Sequence, residues 1–116
     1  MVDDLRPGDT AALPSQLRRG VLEFCVLALL RNGERYAVEL VSELGSKDGL
    51  VTSEGTLYPL LSRLRREGVV ETTWRESPGG PPRRYYALTP AGRGVLDVFS
   101  AEWARFRDTV DGILEP

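Results

Sequence analysis

Ser53-Glu54-Gly55-Thr56-Leu57-Tyr58-Pro59-Leu60-Leu61-Ser62-Arg63-Leu64-Arg65-Arg66-Glu67-Gly68 is the stretch on which the fold turns. Leu57, Leu60, Leu61 and Leu64 recur at i, i+3, i+4 and i+7, the spacing of one buried helix stripe. The other side carries Gly55, Pro59, Ser62, Arg63 and Arg66: small and polar at the front, cationic at the back. A helix that enters the DNA major groove needs that profile. Small residues let the backbone approach base edges, and hydroxyls and guanidiniums supply bonds to bases and phosphates. Ser53 suits the N-cap, Gly68 suits a left-handed stop, and Arg65 and Arg66 favour the negative helix end. Pro59 lacks the donor a helix interior uses, so the first turn is expected to be distorted, or the regular helix to begin nearer Tyr58. Alone, the stretch fits equally a surface helix with solvated arginines.

The next residues favour the DNA reading. Val69 to Arg75 alternates, with Val70, Thr72 and Trp74 on one face and Glu71 and Thr73 on the other, as a half-buried strand does. Ser77-Pro78-Gly79-Gly80-Pro81-Pro82 reads as a turn, and Arg83-Arg84-Tyr85-Tyr86-Ala87-Leu88 as a returning strand. A helix followed by a hairpin makes a winged helix-turn-helix. Arg83 and Arg84 then stand in the wing, where phosphates or the minor groove are reachable. The plainer alternative is an edge strand whose charges discourage aggregation.

Outward from there, residues 1–14 hold Asp3, Asp4, Pro7, Gly8, Asp9 and Pro14, and read as a flexible tail. Residues 15–31 form a helix capped by Ser15, apolar nearly all round in its second half and therefore central. Asn32 to Arg35 is a turn. Tyr36 to Leu44 is a short amphipathic helix, and Gly45 to Val51 leads into the reading helix. Thr89-Pro90 opens the last helix with threonine as cap and proline at the first turn. In it Leu96, Phe99, Trp103, Phe106, Val110 and Ile113 are spaced alternately by three and four, a heptad seam. A domain this small has little core left to cover it. The seam is expected to meet its own copy in a homodimer, with Val21 and Phe24 of the first helix beside it. The alternative is a seam that packs only on Val21, Phe24 and Ala28 of the same chain. The expected architecture is mainly α with a small β-hairpin: a tail over 1–14, a winged helix-turn-helix over 15–89 and a dimerisation helix over 90–116.

Composition excludes several classes. With 116 residues, one cysteine and no histidine, an internal disulfide, a structural zinc site and a Cys-His dyad have no residues to build them. No catalytic constellation, cofactor site or metal site is expected. Cys25 lies in the apolar run Phe24 to Leu30 and reads as a core residue. That run is too short to span a bilayer, and no signal-peptide pattern opens the chain, so a cytoplasmic location without membrane attachment is expected. The net charge is -2, yet its distribution is uneven. Arg63, Arg65, Arg66, Arg75, Arg83, Arg84 and Arg93 outnumber Glu67, Glu71 and Glu76, whereas Asp97, Glu102, Asp108, Asp111 and Glu115 outnumber Arg105 and Arg107 further on. A basic reading end and an acidic far end fit a site-specific binder.

The chain resembles the PadR family of bacterial transcriptional regulators in its small form with one C-terminal helix. The resemblance spans Leu17 to about Leu114. It rests on Leu17-Arg18-Arg19-Gly20-Val21-Leu22-Glu23, on Gly55 to Leu64 with Glu67-Gly68, on Arg83-Arg84-Tyr85-Tyr86-Ala87-Leu88-Thr89-Pro90-Ala91-Gly92, and on Trp103. It implies a homodimeric repressor on double-stranded, pseudo-palindromic operators, often released by a small molecule. It places Tyr36 near the phosphate backbone, although the residue before it is usually glycine and here is Arg35. It places Ser53, Thr56, Tyr58 and Arg63 on the recognition helix and Arg83 and Arg84 on the wing. Trp103 matches the tryptophan that lines a flat pocket at the dimer centre in multidrug-binding members. The expected DNA-facing set is thus Tyr36, Ser53, Gly55, Thr56, Tyr58, Pro59, Ser62, Arg63, Arg66, Arg83 and Arg84. A planar aromatic effector would meet Phe99, Trp103 and Phe106, with Arg107 disfavouring cations; alternatively Trp103 only fills the dimer core. The rival to the whole reading is a ligand-binding or protein-interaction module that uses this fold without DNA.

Overall fold

The computed structural model describes residues 20–46, 50 and 53–115. The tail at 1–14, the Ser15 cap and most of the segment between Gly45 and Val51 lie outside the described residues. Helix α1 is described over 20–29, and a turn follows. Strand β1 (Arg35–Tyr36) leads directly into helix α2 (Ala37–Gly45), then come helix α3 (Glu54–Arg66), strands β2 (Val70–Ser77) and β3 (Gly80–Leu88), and helix α4 (Pro90–Leu114). This is a winged helix-turn-helix with a long helix appended.

The core lies where α1, α2, α3 and the base of the hairpin meet. Val26, Leu27 and Leu30 from the first helix and its end, Leu40 and Leu44 from α2, and Leu57, Leu61 and Leu64 from α3 are all 2% exposed or less. Val70, Tyr86 and Leu88 close it from the sheet. Each such leucine is worth about 1.5–3 kcal/mol of burial. No polar side chain is buried among the described residues. Cys25 is half-buried against this core, and burial pushes its thiol pKa up, as expected of a packing residue.

Helix α3 begins and ends where its punctuation says. Ser53 Oγ accepts from the Thr56 amide at 3.3 Å. At the other end Gly68 takes φ 77°, and the amides of Gly68 and Val69 donate to the carbonyls of Arg65 and Leu64 at 3.0 and 3.1 Å. That pair of bonds is a Schellman stop. The helix runs unbroken through Pro59 from Glu54, so neither the distorted first turn nor the later start is needed. The carbonyl left without a helical donor is that of Gly55, one turn earlier, on the exposed side.

Three expectations are corrected in the sheet. Tyr36 caps α2 rather than opening it, with its amide donating to Glu39 at 3.1 Å. Arg35 and Tyr36 also pair with Tyr86 and Tyr85, so the hairpin becomes a three-stranded antiparallel sheet in the order β1-β3-β2. The turn is shorter than Ser77 to Pro82. Ser77 already pairs with Gly80, and Pro81 and Pro82 oppose Glu76 across a register shift. Two prolines without N–H groups are tolerated there because a bulge asks for fewer ladder bonds.

The junction with α4 is tight. Thr89 Oγ1 accepts from the Gly92 amide at 3.0 Å and donates to the Gly68 carbonyl at 2.7 Å, so one side chain caps α4 and ties it to the end of α3. A Cβ on Gly92 would sit 2.1 Å from the Val69 carbonyl oxygen, so only glycine allows this approach.

Candidate nucleic-acid interface

Three of the leucines of α3 face the core, and helical geometry turns the rest outward. Ser53, Gly55, Thr56, Tyr58, Pro59, Ser62 and Arg66 are all exposed. Around Gly55 a Cβ would meet nothing nearer than Ser53 Oγ at 3.7 Å, so the backbone there is open to an approaching surface. Arg63 differs from the others. Its guanidinium lies 3.2 Å from Glu23 of α1 and 3.0 Å from Glu67 one turn on. The Glu67 hydrogen bond, followed by the Glu23 charge, raises its pKa above the ordinary value. Arg63 therefore bridges α3 to α1 on the flank away from the wing.

Strand alternation separates Arg83 from Arg84. Arg84 pairs with Trp74, and Tyr86 with Thr72, so these four share the face that looks toward α3. The Arg84 guanidinium lies 4.8 Å from the centre of the Trp74 ring, within cation–π range. Arg83 points to the other face and covers the Tyr36 ring at 4.6 Å. Tyr36 in turn meets Tyr85 edge-on at 5.4 Å. Tyr36 is half-buried in this stack rather than standing free.

A groove runs between α3 and the wing. Tyr36, Val38, Tyr58, Ser62, Trp74, Pro82, Arg83 and Arg84 line its upper part. Its lower end is a notch bounded by Ser62, Arg65, Arg66, Arg84 and Tyr86. Val38, Arg65, Trp74, Pro82 and Tyr86 lie outside the expected DNA-facing set, and Arg65 and Trp74 are the two that bring charge and a ring to it. Arg65 stands one turn beyond Ser62, so the 3.6-residue period already put them together. The alternation of β2 puts Trp74 on its half-buried face, yet it is 61% exposed, because β2 runs past the end of the core. Only Val70 and, in part, Thr72 keep that face covered.

The charges of this end are sorted by partners. Among the described residues, Arg35 pairs with Glu43, Arg63 with Glu23 and Glu67, and Arg75 with Glu34. Arg65, Arg66, Arg83 and Arg84 form no ion pair among the described residues. These four guanidiniums, without an ion pair among the described residues, give a chain of net charge -2 a local attraction for polyanions.

The far end is apolar on its surface. Phe24 of α1 stacks on Phe99 of α4 with centroids 4.0 Å apart and planes 4° apart. Phe99 stacks on Trp103 at 5.8 Å, and Trp103 tilts against Phe106 at 6.1 Å. Trp103, Phe106 and Ile113 remain 38%, 62% and 75% exposed, and Val110 is partly covered. Leu96 belongs elsewhere: at 2% exposed it sits in the protomer's own core and is not available to a second chain. Val21 is half-buried. Arg107 is not a lone cation, since Asp108 lies 3.3 Å away. No group of three or more His, Cys, Asp or Glu among the described residues is placed to hold a metal, and no described helix is long and apolar enough to cross a membrane.

Comparison with known proteins bears on this arrangement. The sequence profile of the transcriptional regulator PadR-like family matches residues 26–98. A transcriptional regulator of Mycobacterium tuberculosis is 36% identical over 81 residues, covering 70% of this chain and 74% of that protein. The crystal structure of a PadR family transcriptional regulator from Eggerthella lenta superimposes with a TM-score of 0.82 at 36% identity, covering 91% of this chain and 92% of that one. The structure of a PadR-like transcription factor from Bacteroides fragilis gives 0.73 at 40% identity, covering 88% and 98%.

Proposed function

The chain belongs to the PadR-like family of transcriptional regulators, and on that basis we propose that it is a homodimeric repressor that reads a pseudo-palindromic operator in the cytoplasm and leaves it when a planar aromatic effector binds. It is a DNA-binding regulator and not an enzyme. Within it, the winged helix-turn-helix acts as the reading unit and α4 as the dimerisation helix. The observation that carries the reading is the groove in which α3 shows an open, polar face beside a wing whose Arg83 and Arg84 form no ion pair among the described residues. Gly55, Tyr58, Pro59, Ser62 and Arg66 enter the major groove, with Ser53 and Thr56 at the helix start. Arg83, Arg84 and Tyr36 meet the flanking backbone.

The dimer rests on Phe99, Trp103, Phe106, Val110 and Ile113, with Phe24 beside them. A continuous aromatic face left in water at this size marks an interaction surface. The effector would stack on Trp103 between Phe99 and Phe106 of the two copies. With Arg107 held by Asp108, a neutral planar aromatic suits the site best. Such a ligand releases DNA only if it prefers the conformer that does not bind.

Selection of duplexes from a random pool by the wild-type protein, followed by gel shift, tests the reading. The selected sequence should contain two half-sites about one or two helical turns apart, and inserting about half a turn between them should abolish binding. Indifference to the insertion would reject symmetric docking. Run-off transcription from a promoter carrying that sequence should fall; a rise would make the protein an activator. For the effector, Trp74→Phe leaves Trp103 as the one indole, and planar aromatic dyes should quench it. Absence of quenching would leave Trp103 a packing residue.

A further inference from the structure

The notch at the lower end of the groove is built differently from the rest of the reading face. Ser62, Arg65 and Arg66 reach it from one turn of α3, and Arg84 reaches it from the wing with Tyr86 as its floor. Three arginines line it, and no carboxylate does among the described residues. Like charges gathered without a counter-charge repel one another, so an anion entering the notch is attracted by all three. It holds about 340 Å³ of open space, roughly ten times what one water fills, which suffices for a phosphodiester group.

Arg84 supplies the second observation. Its guanidinium rests on the Trp74 ring at 4.8 Å, and its Nε is shut off from solvent without a hydrogen-bond partner among the described residues. A buried donor without an acceptor is costly and asks for an explanation. The stack blocks one face of the guanidinium, and with Nε covered its terminal NH groups are the side on which an acceptor can arrive. Trp74 itself is 61% exposed, so core packing does not explain its place.

We propose that this notch seats a single backbone phosphate of bound DNA at the junction of reading helix and wing, with Trp74 as the positioning residue that holds Arg84 in register with Arg65, Arg66 and Ser62. The inference rests on the DNA reading above and adds to it the ligand of one subsite and two residues, Trp74 and Arg65. A phosphate seated here fixes the wing relative to α3. It thereby sets how deeply the helix enters the groove, without reading any base.

The test uses the full-length protein and the duplex that wild type selects from a random pool, scanned with single neutral methylphosphonates. In wild type one position per half-site should cost about tenfold in affinity, as loss of one charge-assisted contact does. The same substitution should cost only about threefold in Arg84→Ala, which removes one of the three arginines while Arg65 and Arg66 still face the phosphate. Trp74→Leu should show a reduced sensitivity at that one position, and Trp74→Phe should restore it, with unchanged circular dichroism in both. A merely structural tryptophan would shift affinity at all positions alike. Equal loss in wild type and Arg84→Ala, or full sensitivity in Trp74→Leu, would overturn the seat while leaving DNA binding intact. A pool from which wild type selects nothing would sink the DNA reading and the seat together.

Discussion

Helices α3 and α4 carry the same kind of pattern and meet different fates. Both repeat apolar residues at three and four. In α3 the chain itself covers the stripe: Leu57, Leu61 and Leu64 are 1% exposed or less, and what faces water is polar and cationic. In α4 the stripe is covered only as far as Leu96 and half-covered at Phe99, and then runs on in solvent. Periodicity therefore says that a face wants to be buried, but not by whom. The answer comes from counting the rest of the core. α1, α2, α3 and the hairpin base close on one another, and among the described residues α4 touches them through its first turns. Its remaining length has nothing of its own to pack on among the described residues.

The largest effect expected from breaking that contrast is at Phe106. Wild type should elute as a dimer in light scattering coupled to gel filtration. Phe106→Asp should be a monomer or an aggregate, because a charge placed in the middle of a paired seam costs several kcal/mol unless it escapes to water. The side chain is 62% exposed in the protomer, so the fold should survive, and circular dichroism should be unchanged. A Phe106→Asp dimer would mean that something other than a second α4 covers the stripe.

A smaller effect belongs to the hinge between the two regions. Gly92→Ala offers about 1 kcal/mol of better helix propensity and a methyl 2.1 Å from the Val69 carbonyl. Overpacking against backbone, which cannot swing aside, costs about 1–3 kcal/mol and should win. Thermal melting should fall by roughly 4–8 °C for each kcal/mol. Operator affinity should fall as well, since α4 would no longer hold the two reading heads at one spacing. An unchanged or raised melting temperature would show that propensity outweighs the clash and that the α3–α4 junction is loose.

These helices were legible because their determinants are local. Ser53, Gly68, Thr89 and Pro90 mark their ends within a few residues, and the leucine and aromatic spacings mark their faces. What stayed hidden is long-range or depends on where the core stops. The two-residue strand at Arg35 and Tyr36 exists only because Tyr85 and Tyr86 pass beside it, and no pattern of two residues announces that. The exposure of Trp74 follows from the hairpin outrunning α3. The parting of Arg83 from Arg84 needed only the two-residue period of a strand, and Arg65 beside Ser62 only the helical one. In both places the local period alone decides which face the side chain takes. Glu23, the partner of Arg63, is 40 residues away in sequence, and nothing around Arg63 points to it.

Arg63 and Arg66 give the smallest and sharpest contrast, one turn of helix wide. By sequence both lie on the DNA-facing side. In the structure Arg66 is exposed without an ion pair among the described residues, whereas Arg63 leans to the other flank between Glu23 and Glu67. Arg66→Ala should lower affinity and reduce the slope of log affinity against log salt by roughly 0.9, the signature of one lost phosphate contact, with no change in melting. Arg63→Ala should do the reverse. Its ion pairs are partly exposed and worth less than about 1 kcal/mol, so melting should fall only slightly. The salt slope should stay where it was, because a guanidinium already shared by two carboxylates releases no counterion when DNA arrives. Glu23→Gln should reproduce the small stability loss without touching the slope. If Arg63→Ala instead flattens the slope as much as Arg66→Ala, Arg63 leaves its carboxylates for a phosphate when DNA binds, and the reading face extends to the α1 flank.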